Sequence, residues 1–223
     1  MAVIQRSLAV LKKELLSEFR TRYAISAILL FVLTTITMVV FATSGDVLSP
    51  EVAAGVLWIV MFFGAMTGLS KSFVSEEERG TSLYLKLVAD SGAIYFGKLV
   101  FNIMLSISLN AVAVILFFIF IGNINLTSPA IFVSSILMGS LAIATSTTII
   151  SALIAKANSK NALFPVLSFP IILPVIILGI QTTVQSFTGA DFEEARNDFQ
   201  LLFSYSGLMV LASYFLFDYV WKE

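Results

Sequence analysis

The 223-residue sequence is 58% hydrophobic and only 12% charged, which excludes an ordinary soluble domain, where about a quarter of residues are charged. Its net charge of −1 does not indicate a nucleic-acid-binding surface. The sequence lacks cysteine and histidine, which removes disulfides, thiol chemistry and the commonest metal ligand and general base. We therefore predict no catalytic residue and no metal site, and most enzyme classes are disfavoured.

Six stretches are apolar over about 20 residues, the length that crosses a bilayer as a helix. They cover roughly 23–42, 52–70, 98–122, 130–155, 163–181 and 201–219. The sequence therefore predicts an all-α polytopic membrane protein with six transmembrane helices, formed by residues 23–223. No charged residue falls in the middle of a predicted span, which disfavours ion-coupled transport and proton relays.

Basic residues are concentrated on one side of the predicted membrane. With six spans, that side carries Arg6, Lys12, Lys13, Arg20, Arg22, Lys71, Arg79, Lys86, Lys98, Lys156, Lys160 and Lys222. The other side carries only Arg196, together with Asp46, Glu51, Asp191, Glu193, Glu194 and Asp198. The positive-inside rule then places both termini in the cytoplasm.

Residues 1–22 are predicted to form a cytoplasmic amphipathic helix before the first span. Apolar side chains recur at helical spacing in Ile4, Leu8, Leu11, Leu15 and Phe19, and Arg6, Lys13 and Arg20 lie on another face. A basic amphipathic helix of this kind lies in the membrane interface. Two interpretations stay open: a simple anchor, and an elbow helix that receives the motion of a partner protein.

The connection over residues 71–97 is predicted to be a cytoplasmic helix-turn-helix. A charged cluster is followed by a glycine break and a short apolar segment: Glu76, Glu77, Glu78, Arg79, Gly80, Thr81, Leu83 and Leu85. Apolar residues beside charges need a surface against which to bury, which favours docking of a soluble partner. The alternative is a solvated loop without a partner.

Two short glycine motifs have limited meaning. Residues 92–98 match G-x-x-x-x-G-K, but Leu99 stands where a nucleotide-binding loop needs serine or threonine. We therefore interpret Lys98 as an anchor whose ammonium reaches the membrane interface. In the second span, Gly64 and Gly68 form G-x-x-x-G, which suits close helix packing either within the chain or between two copies.

The last three spans carry further signals. The fourth is rich in serine and threonine between Ser134 and Ser151, which suits helix–helix hydrogen bonds or, alternatively, the lining of a polar cavity. The fifth contains Pro165, Pro170 and Pro174, each of which tends to kink a helix, so this span is either a moving element or a static kink. Residues 182–200 are expected to form an outer loop with a short interfacial helix.

Two of these stretches resemble known permeases. Residues 76–85 and the later Phe96-Gly97-Lys98 resemble the coupling region of ABC-2-type permeases. Residues 168–179, which contain Pro170 and Pro174, resemble the fifth span of the CcmB family, also called haem exporter protein B. The chain is also similar to CcmB in its length, in its six spans without a large outer domain, and in its amphipathic N-terminus. The sequence departs from many relatives in lacking a proline soon after the coupling leucines.

The resemblance implies an ABC-2-type permease fold and a bacterial cytoplasmic (inner) membrane location. It implies a separate ATPase, CcmA, that supplies ATP hydrolysis, association with CcmC and CcmD, a second permease copy, and release of the haem chaperone CcmE. It implies no cofactor held by this chain, although the complex would handle haem. The alternatives are an ABC-2-type permease for another lipid, drug or glycan, and a non-transporting scaffold of a haem-handling complex.

Overall fold

The computed structural model describes residues 2–21, 23–43, 46–122, 124–155, 157 and 160–222. Within these ranges the chain forms nine α-helices and no strand. They are α1 (Ala2–Thr21), α2 (Tyr23–Ala42), α3 (Pro50–Leu69), α4 (Lys71–Glu78), α5 (Ser82–Val88), α6 (Ser91–Phe120), α7 (Pro129–Ile154), α8 (Lys160–Thr188) and α9 (Phe192–Lys222). Of the basic residues invoked above, Arg22 and Lys156 lie outside the described residues.

The all-α polytopic prediction is confirmed. Five helical stretches are long and apolar enough to cross a membrane: Pro50–Glu78, Ser91–Phe120, Pro129–Ile154, Leu163–Thr188 and Phe192–Trp221. The first predicted span corresponds to α2, which has 20 residues and is therefore about 30 Å long. Its residues Leu29–Ala42 form an apolar stretch.

The predicted loop over residues 182–200 is wrong. Helix α8 continues to Thr188 and α9 begins at Phe192, so only three residues connect them. Gly189 turns the chain with a φ of 84°, and Glu193 and Glu194 occupy the first turn of α9, where acidic side chains stabilise a helix. The prediction placed the helix ends where the apolar stretches end. Helices α8 and α9 extend further because the polar residues beyond those stretches also favour helix.

Helix α7 is the centre of the bundle and packs against α3, α4, α6, α8 and α9. Its hydroxyls bond back to their own helix, as Ser146 does to the Ala142 carbonyl, or across to neighbours. Across the interface, Asn102 of α6 donates to Thr148 Oγ1 at 2.9 Å, and Asn110 donates to Ser140 Oγ at 2.8 Å. The hydroxyl-rich span therefore holds helices together, the first of its two interpretations.

Trp58 of α3 fills the space between α7 and α8. A Cβ added to Gly139 would lie 2.1 Å from its indole ring, and one added to Gly179 would lie 2.0 Å from it. The indole N–H donates to Thr183 Oγ1 at 2.9 Å, which satisfies the only polar group of this fully buried side chain. Two glycines and one tryptophan therefore set how closely three helices approach.

The charged segments gather at one end of the bundle. Arg6 of α1 pairs with Asp90, which precedes α6, and the Lys86 ammonium of α5 lies 5.5 Å from the Trp221 ring centre near the end of α9. We name this region the charged end. At the opposite end, the Ser128 N–H donates to the Ser186 carbonyl, which ties the start of α7 to α8.

Candidate functional site

Helices α4 and α5 form the predicted helix-turn-helix at the charged end, but it ends before residue 91, because residues 91–97 of the predicted segment 71–97 already belong to α6. We name α4, α5 and the turn between them the hairpin. Gly80 ends α4 with a φ of 66°, a backbone conformation that favours glycine. The Thr81 N–H then donates to the Glu76 carbonyl at 2.9 Å, and α5 starts at Ser82. Ser70 lies between α3 and α4 in a helical conformation, so α4 follows directly from the transmembrane helix α3.

The outer side of α5 is an uncovered apolar face. It consists of Leu83, Tyr84, Leu87 and Val88, and Leu87 is 85% exposed. Because α5 belongs to the charged hairpin and not to a bilayer-spanning helix, another surface is needed to bury this face. We name these four residues the α5 face.

A buried ion cluster fixes the hairpin to the bundle. The Lys98 ammonium of α6 lies 2.7 Å from Glu14 Oε1 of α1 and 3.5 Å from Glu76 Oε1 of α4. It also donates to the Ser72 carbonyl, and its side chain is completely buried. Lys13 pairs with Glu76 from the partly exposed side. We name Lys13, Glu14, Glu76 and Lys98 the ion cluster.

Two further contacts stabilise these charges. The Lys98 ammonium lies 4.9 Å from the centre of the Phe73 ring, within range of a cation–π interaction. Thr81 donates its hydroxyl to the second oxygen of Glu76. Partial burial alone would lower the pKa of Lys13, but the carboxylates of Glu14 and Glu76 outweigh it, so that its pKa is raised above the usual 10.5.

Gly97 lets α1 reach the cluster. A Cβ at this position would lie 2.7 Å from the Ser7 carbonyl oxygen and 2.8 Å from Val10 Cβ, so only glycine permits the observed approach of α1 to α6. The adjacent Lys98 then meets Glu14. The Gly97-Lys98 pair is thus the docking point of the amphipathic helix.

The structure corrects the interpretation of Lys98 as an interfacial anchor, because its ammonium points into the protein and is fully buried. It also places the G-x-x-x-x-G-K match inside α6, where residues 92–98 form helix and not a phosphate-binding loop. Glu76 likewise points inward and is 5% exposed.

The remaining predicted hairpin residues lie where a partner could reach them. Glu78, Arg79, Gly80, Thr81 and Leu83 are exposed, and Glu77 and Leu85 are half-buried. The structure therefore divides the set: Glu76 joins hairpin and bundle, whereas the others form the outer surface. Their contact with an ATPase stays a prediction.

The other predicted sites lie elsewhere in the bundle. Pro170 and Pro174 are on the exposed face of α8, and Pro165 is half-buried. Tyr205 of α9 donates to the carbonyl of Ile171, which lies between Pro170 and Pro174. Gly64 is buried in α3 and Gly68 is half-buried. Gly68 lines one cavity together with Lys71, Ser75 and Arg79, and so lies beside the hairpin.

Sequence reasoning missed Glu14, which pairs with Lys98 from 84 residues away. The available signal was weak: Glu14 lies between the apolar stripe of α1 and the face that carries Arg6, Lys13 and Arg20. An unmatched acid at that position predicts a partner, but the pattern of one helix does not say which lysine it meets.

The fold and the site define a polytopic, all-helical membrane protein with a hairpin and a buried ion cluster at one end. The family model described as CcmB protein matches residues 5–217, nearly the whole chain. The chain therefore belongs to the CcmB family, which confirms the resemblance found in the sequence. Members are membrane permease components of ABC transporters in haem export and cytochrome c biogenesis, and are not their catalytic subunits. A comparison with proteins of curated function gave no match.

Proposed function

We propose that this chain is the membrane-spanning subunit of an ABC transporter complex for cytochrome c maturation. In this proposal it couples ATP hydrolysis by a separate CcmA-like ATPase to haem handling and to release of the haem chaperone CcmE. Membership of the CcmB family supports the class of complex. The observation that supports the coupling proposal is the hairpin: its outer face is apolar, and the ion cluster attaches its inner side to the bundle.

The α5 face is the proposed docking surface for the ATPase. Its exposed leucines, tyrosine and valine offer apolar area, and the exposed Glu78 and Arg79 form a polar margin beside it. Interfaces combine an apolar centre with a polar rim in this way. Closure of the ATPase on ATP would then push on α5.

Displacement of the hairpin would reach the membrane through two connections. One is covalent, because Ser70 continues α4 directly into α3. The other is the ion cluster, which joins α4 to α1 and α6. A ligand shifts a conformational equilibrium only by its differential affinity for two states. Together, these two connections would make α1, α3 and α6 respond with α4 to such a shift, and the proline-containing α8 is the proposed element that bends.

Substitutions on the α5 face test docking. In the assembled complex, Leu87→Asp is expected to reduce permease-stimulated ATP hydrolysis about tenfold, as loss of one central interface side chain does. Val47→Asp is the matched control, since Val47 is an exposed apolar residue in the loop before α3. Unchanged ATPase stimulation by Leu87→Asp, with normal membrane insertion, would refute docking at this face.

Both termini are proposed to be cytoplasmic, in the bacterial inner membrane. The chain has no cysteine, so single cysteines can be added without further changes. Tyr84→Cys at the charged end, in a chain expressed without the ATPase, should react with a membrane-impermeant maleimide only after cell lysis. Glu193→Cys, on an exposed side chain at the start of α9, should react in spheroplasts. The reverse pattern would refute the orientation and the hairpin's role together.

Haem and the remaining partners belong to the complex in this proposal. Axial haem ligands are usually His, Cys, Met or Tyr, and the sequence offers only the last two. We therefore propose that haem is ligated by CcmC-like and CcmE-like partners, with a CcmD-like protein and a second permease copy completing the assembly. Purification from detergent should recover the ATPase and haem proteins with the chain; a set of partners without them would favour another substrate.

A further inference from the structure

An open cavity of about 490 Å³ lies at the charged end, between the end of α5, the start of α6 and the end of α9. Leu87 and Val88 line this cavity and also belong to the α5 face. A partner that covers the α5 face therefore also lies over the cavity. We name this space the α5 cavity.

The α5 cavity carries one uncompensated positive charge. Arg6 and Asp90 both line it and pair with each other at 2.6 Å, so that their charges cancel. The remaining charged side chain of the lining is Lys86. Its ammonium forms no salt bridge with any residue that the structure describes. The cavity therefore favours a negatively charged group.

An aromatic stack holds Lys86 in place. Its ammonium lies 5.5 Å from the centre of the Trp221 ring, within range of a cation–π interaction. Trp221 is itself buried; it stacks on Phe217 with the ring centres 5.5 Å apart, and it meets Phe73 edge-on at 5.7 Å. A ring face gives the three N–H donors of an ammonium no conventional acceptor. Lys86 is therefore positioned in advance and can still donate to a partner.

Covering the α5 face would remove the water that still reaches Lys86, which is half-buried. An ammonium that loses its water without gaining a counter-charge costs several kcal/mol. The covering surface must therefore bring an acceptor, and a carboxylate both accepts the hydrogen bonds and compensates the charge. Helix α6 begins at Ser91, which also lines the cavity, and its dipole favours the same negative sign.

We propose that the protein docked on the α5 face places a carboxylate in the α5 cavity, where it pairs with Lys86. This inference rests on the proposed function, in which the docked protein is the ATPase. It adds what the ATPase must present: an acidic side chain beside an apolar patch that covers Leu87 and Val88. The pair also lies close to the ion cluster, because Phe73 contacts Trp221 and lies 4.9 Å from the Lys98 ammonium.

The affinity of the full chain in detergent for the ATPase that co-purifies with it tests the proposal. Lys86→Gln should weaken this affinity about tenfold, and Lys86→Glu about a hundredfold, because the second change brings two negative charges together. Lys86→Arg keeps the charge and the contact with Trp221, and should bind as the unmodified chain does. Lys12→Glu is the matched control, since Lys12 is exposed on α1 and lies outside the α5 cavity; it should leave the affinity unchanged.

Salt dependence separates a lost ion pair from a change in local structure. Added salt should weaken ATPase binding by the unmodified chain more steeply than binding by Lys86→Gln, because salt screens an ion pair at the edge of an interface. Replacing one acidic residue of the ATPase by lysine should restore binding of Lys86→Glu. Equal affinity and equal salt dependence of Lys86→Gln and the unmodified chain would overturn the proposal.

The variant Leu87→Asp distinguishes failure of this inference from failure of the proposed function. If Leu87→Asp and Lys86→Glu both bind the ATPase normally, docking at the α5 face is refuted. If Leu87→Asp binds weakly and Lys86→Glu normally, docking stands and the carboxylate is refuted. The same holds if Lys86→Glu keeps its ATPase affinity but loses an anionic phospholipid that co-purifies with the unmodified chain, which would assign the cavity to a lipid head group.

Discussion

Replacing Lys98 by methionine removes a buried charge while it keeps a side chain of similar length. The ammonium has no exposure to solvent and faces Glu14 at 2.7 Å and Glu76 at 3.5 Å. The variant therefore leaves two buried carboxylates close together, with only the partly exposed Lys13 beside them. We expect Lys98→Met to destabilise the protein strongly and to loosen α1 and α4 from the bundle.

The magnitude follows from these distances. At an effective dielectric constant of about 20, the attraction is about 6 kcal/mol across 2.7 Å and about 5 kcal/mol across 3.5 Å, before desolvation is subtracted. Removing one member of a buried ion pair typically costs about 3–5 kcal/mol. Because Lys13 still pairs with Glu76, we expect the lower end of that range, about 3 kcal/mol.

Unfolding of the full chain in detergent, by heat or by sodium dodecyl sulfate, measures this loss. Arg6→Met is the matched control because the Arg6–Asp90 pair is largely exposed, and it should cost less than about 1 kcal/mol. The triple variant Lys98→Met, Glu14→Gln, Glu76→Gln should recover much of the stability because no buried carboxylate is left uncompensated. A Lys98→Met variant as stable as Arg6→Met would refute the ion cluster.

Three glycine substitutions test the helix contacts. Gly179→Ala should destabilise the bundle by about 1–3 kcal/mol through overpacking, since its Cβ would lie 2.0 Å from the Trp58 ring. The unfolding midpoint reports this loss. Gly97→Ala should displace α1, detected as faster protease cleavage within residues 2–21, because its Cβ would meet α1 at 2.7 Å. Gly80→Ala should cost about 1–2 kcal/mol at a φ of 66°, measured in the same unfolding assay.

The controls for these variants come from the same chain. Gly55→Ala adds a Cβ in open space and should be neutral or stabilising by up to about 1 kcal/mol, because alanine favours helix. Gly92→Ala, at the same end of α6 as Gly97, places its Cβ at an ordinary 3.6 Å from Tyr214 and should leave α1 in place. If Gly179→Ala matched Gly55→Ala, or Gly97→Ala matched Gly92→Ala, the corresponding close contact would be absent.

Much of the fold follows from local patterns. Apolar runs of about 20 residues predict spans because the bilayer core sets their length, and the observed α2 and α3 agree with them closely. The Gly80 break between charged and apolar segments predicts the α4–α5 hairpin, because glycine permits the turn that ends α4. The ends of α8 and α9 were missed because polar turns extend both helices beyond their apolar stretches.

The sequence by itself determined the membrane class, the approximate spans, the hairpin and the family, since hydropathy, glycine placement and short motifs are local properties of the chain. Only the tertiary structure decided that Lys98 turns inward to meet Glu14 and Glu76, and that Trp58 lies between two distant glycines. The physical reason is that a charge or a large ring takes its partner from helix packing, and packing brings together residues whose separation along the chain carries no signal.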